Sequence, residues 1–217
     1  MSFLVVATFK SNKTAEDVKS WISAVTPTPN MVVAPSFPHL HLFEDLGFNL
    51  CGQDVSPFPP GSYTGAVNAV QLKELGVSFC IVGHSERRRY FHESASEIAG
   101  KVRELVASRI TPILCMEEKD IVAQFAALEP EFYGNCIYCF EPAGDIGGTV
   151  TATSDEIEAV KNIIYKFVPG SRFMYGGSVT KDNCAALLEL KLSGFLVATA
   201  SLDPSSYLAI VEGVHGA

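Results

Sequence analysis

Three polar side chains in this sequence each close a stretch that is otherwise apolar or small. Lys10 follows Phe3-Leu4-Val5-Val6-Ala7-Thr8-Phe9, His84 follows Phe79-Cys80-Ile81-Val82-Gly83, and Glu141 follows Cys136-Ile137-Tyr138-Cys139-Phe140. Apolar runs go to the interior, so a polar residue that ends one stands where core meets solvent. A carboxylate desolvated at such a mouth is a stronger base than one in water. Behind Glu141 come Pro142 and the segment Ala143-Gly144-Asp145-Ile146-Gly147-Gly148-Thr149, which has the length and glycine content of a loop that closes over a ligand. A strand-end glutamate paired with a cation is the bland alternative, and the loop tips the balance toward a base.

His84 lies in Gly83-His84-Ser85-Glu86-Arg87-Arg88. Ser85 and Glu86 suit the first turn of a helix, whose positive dipole end disfavours an imidazolium. A neutral imidazole there can donate a hydrogen bond to a carbonyl oxygen. A structural histidine is the alternative, and the dense polar motif at a strand end weighs against it. Lys10 is a cation placed to meet developing negative charge. Tyr175-Gly176-Gly177-Ser178 and Ala198-Thr199-Ala200-Ser201 are small-residue turns, whose backbone N–H groups can approach an anion such as a phosphate. Gly147 adds a third position of that kind.

The elements that must hold these groups follow from the apolar pattern. Eight short runs, at residues 3–9, 31–34, 49–53, 79–82, 111–115, 136–141, 172–175 and 194–198, are rich in Val, Ile, Phe and Cys and show little alternation. Strands buried on both faces look like this. Between them, residues 14–25, 94–108, 154–167, 181–190 and 205–214 place apolar side chains at helical spacing, and 40–46, 69–75 and 121–128 are shorter candidates. Strand and helix alternate eight times without a linker, which implies parallel strands, right-handed crossovers and one (β/α)8 barrel over residues 1–217. The fifth βα unit is short, because only the 121–128 helix fits between Glu118 and Cys136. Active groups of such barrels sit at the C-terminal ends of the strands, where Lys10, His84, Glu141 and the two small-residue turns fall.

The totals narrow the partners. With 47% hydrophobic residues, 217 residues bury a large core without disulfides or a structural metal. No apolar run approaches the roughly 18 residues of a membrane helix, and residues 1–9 do not form a secretory signal, so a cytoplasmic address is expected. A net charge of −8 argues against a nucleic-acid surface. It also means that a phosphate site must be built locally from N–H groups and a few cations. The six cysteines are expected to be reduced. Cys136 and Cys139 are spaced C-x-x-C but point to opposite faces of a strand, so no metal site is expected.

The residues that carry this reading strongly resemble the triosephosphate isomerase family, over nearly the whole chain. The matching segments are Phe9-Lys10-Ser11-Asn12, Gly52-Gln53-Asp54-Val55-Ser56, Tyr63-Thr64-Gly65, the His84 hexapeptide, Pro112-Ile113-Leu114-Cys115, Glu141-Pro142 with Ile146-Gly147, Tyr175-Gly176-Gly177-Ser178-Val179 and Ala200-Ser201-Leu202-Asp203-Pro204. The resemblance implies interconversion of dihydroxyacetone phosphate and glyceraldehyde 3-phosphate without a cofactor. A carboxylate base beside a neutral histidine is already established for this family. Carried over, Glu141 is the base, His84 the electrophile, Lys10 the charge stabiliser, and Glu86 a supporting carboxylate near Lys10. Thr8, Gly147, Ser178, Ala198 and Thr199 would contact substrate. The resemblance further implies a homodimer formed through the loop from Gln53 to Thr64.

Several positions depart from the family pattern. Thr8 replaces an asparagine, Ala66 a glutamate of the third loop, and Ala198-Thr199 a Gly-Gly pair, while Ala143-Gly144 stands for the lid's Val-Trp. A degenerate paralogue that binds a small phosphate metabolite without turnover is the reading these departures motivate. Intact Lys10, His84, Glu86 and Glu141 speak against it.

Overall fold

A computed structural model describes residues 3–142 and 151–214. Eight parallel strands among these residues close into a barrel in sequence order: β1 (Leu4–Thr8), β2 (Met31–Ala34), β3 (Asn49–Gly52), β4 (Val77–Val82), β5 (Thr111–Met116), β6 (Ile137–Phe140), β7 (Phe173–Tyr175) and β8 (Gly194–Val197). Closure is made by β1 and β8, with Leu4 opposite Gly194 and Ala7 opposite Val197. Each of the eight expected strands forms.

Strand period two sorts the buried side chains into two layers. Leu4, Val6, Val32, Ala34, Cys51, Ile81, Ile113, Cys115, Ile137, Cys139, Met174 and Leu196 fill the barrel interior. Their neighbours Val5, Ala7, Val33, Leu114, Tyr138, Phe173, Tyr175, Phe195 and Val197 face outward, under the helices. Cys136 is in the outer layer and Cys139 in the inner one, so the C-x-x-C pair does divide across the strand.

The helices are α1 (Ala15–Ala24), α2 (Ala69–Glu74), α3 (Ser85–Tyr90), α4 (Ala95–Ala107), α5 (Ile121–Ala127), α6 (Ser154–Phe167), α7 (Cys184–Leu188) and α8 (Pro204–Gly213). Reciprocal capping boxes start several: Thr14 with Asp17, Ser94 with Glu97, and Thr153 with Glu156. For α6 the cap is thus Thr153, one residue ahead of the stretch 154–167 expected to be helical. The helix expected over 40–46 is instead a 3₁₀ segment, Phe37–Phe43, because Pro38 lies in its first turn and His39 N–H bonds back to Ser36. The one expected over 181–190 shrinks to α7, since Thr180 and the residues after it are spent on a turn. Between β5 and β6 only α5 and two 3₁₀ turns intervene, which makes the short fifth unit visible.

Candidate active site

The inner-face parity that fills the barrel also delivers its polar mouth. In β1 the inward series Leu4, Val6 continues to Thr8; in β6 Ile137, Cys139 continues to Glu141; in β7 Met174 continues to Gly176; in β8 Leu196 continues to Ala198. All four continuations line one cavity together with Lys10, His84, Gly177, Ser178, Thr180 and Thr199. Its position at the C-terminal ends of the strands is where barrels of this kind hold their ligands.

Glu141 is buried, at 2% exposure. Its Oε1 lies 3.0 Å from His84 Nε2. Its Oε2 accepts from both the backbone N–H and the hydroxyl of Ser85, each at 3.0 Å. Those three donors are what make a buried carboxylate tolerable. Gly176 gives the side chain room, since a Cβ there would stand 3.2 Å from Glu141 Cγ and 3.0 Å from Cys139 Sγ.

His84 is the N-cap of α3, and its Nδ1 accepts from the Glu86 N–H at 3.2 Å. A nitrogen that accepts carries no proton, so the ring N–H sits on Nε2, aimed at Glu141. The helix start thereby selects the tautomer. Ser85 opens the first turn of α3 with Glu86, as expected, and its hydroxyl is turned to Glu141.

Lys10 takes a left-handed backbone conformation, φ 48°, which bends the chain sharply beyond β1. Such a conformation is costly for a residue with a Cβ and persists where its surroundings fix it. Gln53 fixes this one, donating from Nε2 to the Lys10 carbonyl at 3.0 Å and to that of Ala34 at 2.9 Å. Lys10 Nζ then reaches Glu86 Oε1 at 2.7 Å. Gln53 was legible in sequence only as part of a motif, and the bond that gives it a task links three strands.

The small-residue turns adjoin each other. Gly177 lies against the ring of Tyr175, and a Cβ there would overlap the tyrosine's hydroxyl oxygen. That hydroxyl accepts from the Ala152 N–H at 3.0 Å, tying the residues before α6 to the end of β7. Arg88 braces the other side: its Nε donates to the Gly83 carbonyl at 2.8 Å and its second amino group to Gln124 Oε1 at 3.0 Å.

Of the positions singled out in sequence, Thr8, Lys10, His84, Glu141, Ser178, Ala198 and Thr199 come together around the cavity, and Glu86 stands behind Lys10. Gly147 and the rest of the segment from Ala143 to Thr149 lie outside the described residues.

Beside the site, the loop after β3 rests on a charged cluster. Arg87 and Lys101 both pair with Asp54, at 2.8 and 2.6 Å, and both reach Glu93. Burial pushes the Asp54 carboxyl up, against the pull of the Lys101 ammonium. On the loop, Phe58 and Tyr63 stack at 4.6 Å and remain exposed. No group of three or more potential metal ligands occurs among the described residues, and no helix among them is long and apolar enough to cross a membrane.

Known proteins agree with this architecture. The family described as triosephosphate isomerase matches residues 3–214. A triosephosphate isomerase of Mycoplasmoides gallisepticum is 34% identical over 98% of this chain and 98% of its own length. That of Thermus thermophilus is 32% identical over 96% of this chain and 97% of its own. That of Dichelobacter nodosus is 38% identical over 78% of this chain and 80% of its own. Fold, residue pattern and relatives converge: the chain is an isomerase and belongs to the triosephosphate isomerase family.

Proposed function

We propose that the chain interconverts dihydroxyacetone phosphate and D-glyceraldehyde 3-phosphate through an enediolate, with Glu141 as the base, His84 as the electrophile and Lys10 as the charge stabiliser. The observation that carries this reading is the 3.0 Å contact of His84 Nε2 with Glu141 Oε1 at a cavity that Lys10 also lines. The His84 Nε2–H points at Glu141 Oε1. A substrate carbonyl oxygen would take that proton donor over, leaving the Oε1 lone pair to meet the proton on the neighbouring carbon. Glu141 removes that proton, His84 passes the hydroxyl proton from one enediolate oxygen to the other while Lys10 offsets their charge, and the same carboxyl returns the carbon-bound proton to the adjacent carbon. The proton is conserved, so the chemistry calls for neither cofactor nor metal.

Phosphate would be held by backbone N–H groups of Ser178, Ala198, Thr199 and Gly147, with Thr8 contacting the substrate beside them. Glu86, at 2.7 Å from Lys10, would keep the ammonium in place until substrate charge replaces it. The whole chain would act as one catalytic domain, in the cytoplasm, without a membrane or nucleic-acid partner. The exposed Phe58–Tyr63 stack supports a homodimer through the loop from Gln53 to Thr64, which a mass measurement in solution would test. The reading as a whole is tested by a coupled assay of glyceraldehyde 3-phosphate conversion. Rapid turnover is expected. Folded protein that binds phosphate without turnover would make the chain the degenerate, phosphate-binding paralogue instead.

A further inference from the structure

We propose that Asn183 is a positioning residue for the phosphate site: its amide holds the Ser178 carbonyl and the Thr151 hydroxyl at once, and anion affinity depends on that double donation. The inference rests on the phosphate reading given above and deepens it.

Asn183 is the N-cap of α7, where an asparagine side chain ordinarily accepts from an N–H of its own helix. It makes no such bond. Its Oδ1 instead accepts from the Thr180 N–H at 2.8 Å. Its Nδ2 donates to the Ser178 carbonyl at 2.7 Å and to Thr151 Oγ1 at 2.9 Å. Thr151 uses its hydroxyl proton on the same carbonyl, at 3.2 Å. The Thr151 oxygen accepts while its proton is given away, the Ser178 carbonyl uses both lone pairs, and both Asn183 amide protons are engaged. Flipping the amide would set its NH₂ against the Thr180 N–H, so the orientation is fixed by the network.

The consequence falls on the cavity. Ser178 and Thr180 line it, next to Gly176, Gly177 and Lys10. In a turn of such small residues a peptide can rotate, and a rotated peptide would present a carbonyl oxygen to an anion. Two donors holding the Ser178 carbonyl oppose that rotation. A chain with net charge −8 has few cations with which to offset a misdirected dipole. The half-buried setting of Asn183 and Thr151 lets these bonds persist without competition from bulk water.

The test separates donation from capping. Asn183→Asp keeps an oxygen for the Thr180 N–H but cannot donate, Asn183→Ala removes all three bonds without adding charge, and Thr151→Val removes only the shared hydroxyl. Binding of inorganic phosphate by titration calorimetry, and kcat and KM separately, are read on each folded variant. Losing two donations is expected to weaken phosphate binding and raise KM by about tenfold or more in both Asn183 variants, with kcat changed far less. Thr151→Val is expected to move in the same direction by less, and to add little on top of Asn183→Ala. Asn183→Ala with wild-type phosphate affinity would overturn the proposal, and any loss in Asn183→Asp would then be charge repulsion. Phosphate affinity is read independently of turnover, so a wild-type protein that binds phosphate but does not isomerise sinks the functional reading alone.

Discussion

His84 Nε2 stands 3.0 Å from Glu141 Oε1, while Nδ1 of the same ring accepts from the backbone N–H of Glu86. The start of α3 therefore decides which nitrogen carries the proton, and that proton faces the carboxylate across the barrel mouth. Glu141→Gln preserves the shape of the side chain and removes its capacity to take a proton. Turnover is expected to fall about 10²- to 10⁴-fold, the usual range for a positioned general base. Phosphate affinity, measured by calorimetry, is expected to stay within a few-fold. An equal loss of binding and turnover would assign Glu141 to binding rather than proton transfer.

Gly177 has no room for a side chain, because a Cβ would overlap the Tyr175 hydroxyl oxygen. In Gly177→Ala the ring must move, and the bond from the Ala152 N–H to that hydroxyl goes with it. Overpacking of this kind costs about 1–3 kcal/mol. A lowered Tm together with a raised KM is the expected pair of results. A variant with unchanged KM would show that the Tyr175 tie does not serve the site.

All six cysteines are free and buried. Burial pushes the Cys136 thiol up to about 12, and it raises Cys51, Cys80 and Cys115 as well. Since the thiolate is the reactive form, a disulfide reagent at pH 8 is expected to leave the native protein essentially unlabelled. In denaturant all six should react rapidly. Fast stoichiometric labelling of the folded chain would contradict the packing of the barrel strands.

Two helix starts should make stability depend on acid. Glu97 and Glu156 are held below the ordinary 4.5, by hydrogen bonds from Ser94 and from Thr153 respectively. A carboxyl with a lowered folded value stabilises above 4.5, and that contribution drains away as pH falls from 4.5 through the folded value. A Glu97→Gln, Glu156→Gln variant cannot titrate at these sites. Its Tm deficit relative to the wild type is expected to be present at neutral pH and to close in acid. A deficit independent of pH would mean that geometry, not charge, carries the caps.

Much of the molecule could be read directly from the chain. Apolar runs of β-branched and aromatic residues alternating with amphipathic stretches specify eight strands and their helices, because the two periods are local properties of the sequence. Parity along a strand is local as well, so Glu141 facing inward follows from Ile137 and Cys139 facing inward. Where local periodicity is weak the reading slipped: Pro38 turned an expected helix into a 3₁₀ segment, and the helix after Thr180 lost its first residues to a turn.

What only the tertiary structure decided are the bonds that join one βα unit to another. Ser85 giving two bonds to Glu141, Gln53 securing the left-handed Lys10, and Asn183 joining Ser178 to Thr151 are each set by closure of the barrel. No spacing in the sequence encodes them. Each is a hydrogen bond between groups whose meeting costs loop entropy, and only the cooperative burial of the barrel core supplies the free energy that brings them together.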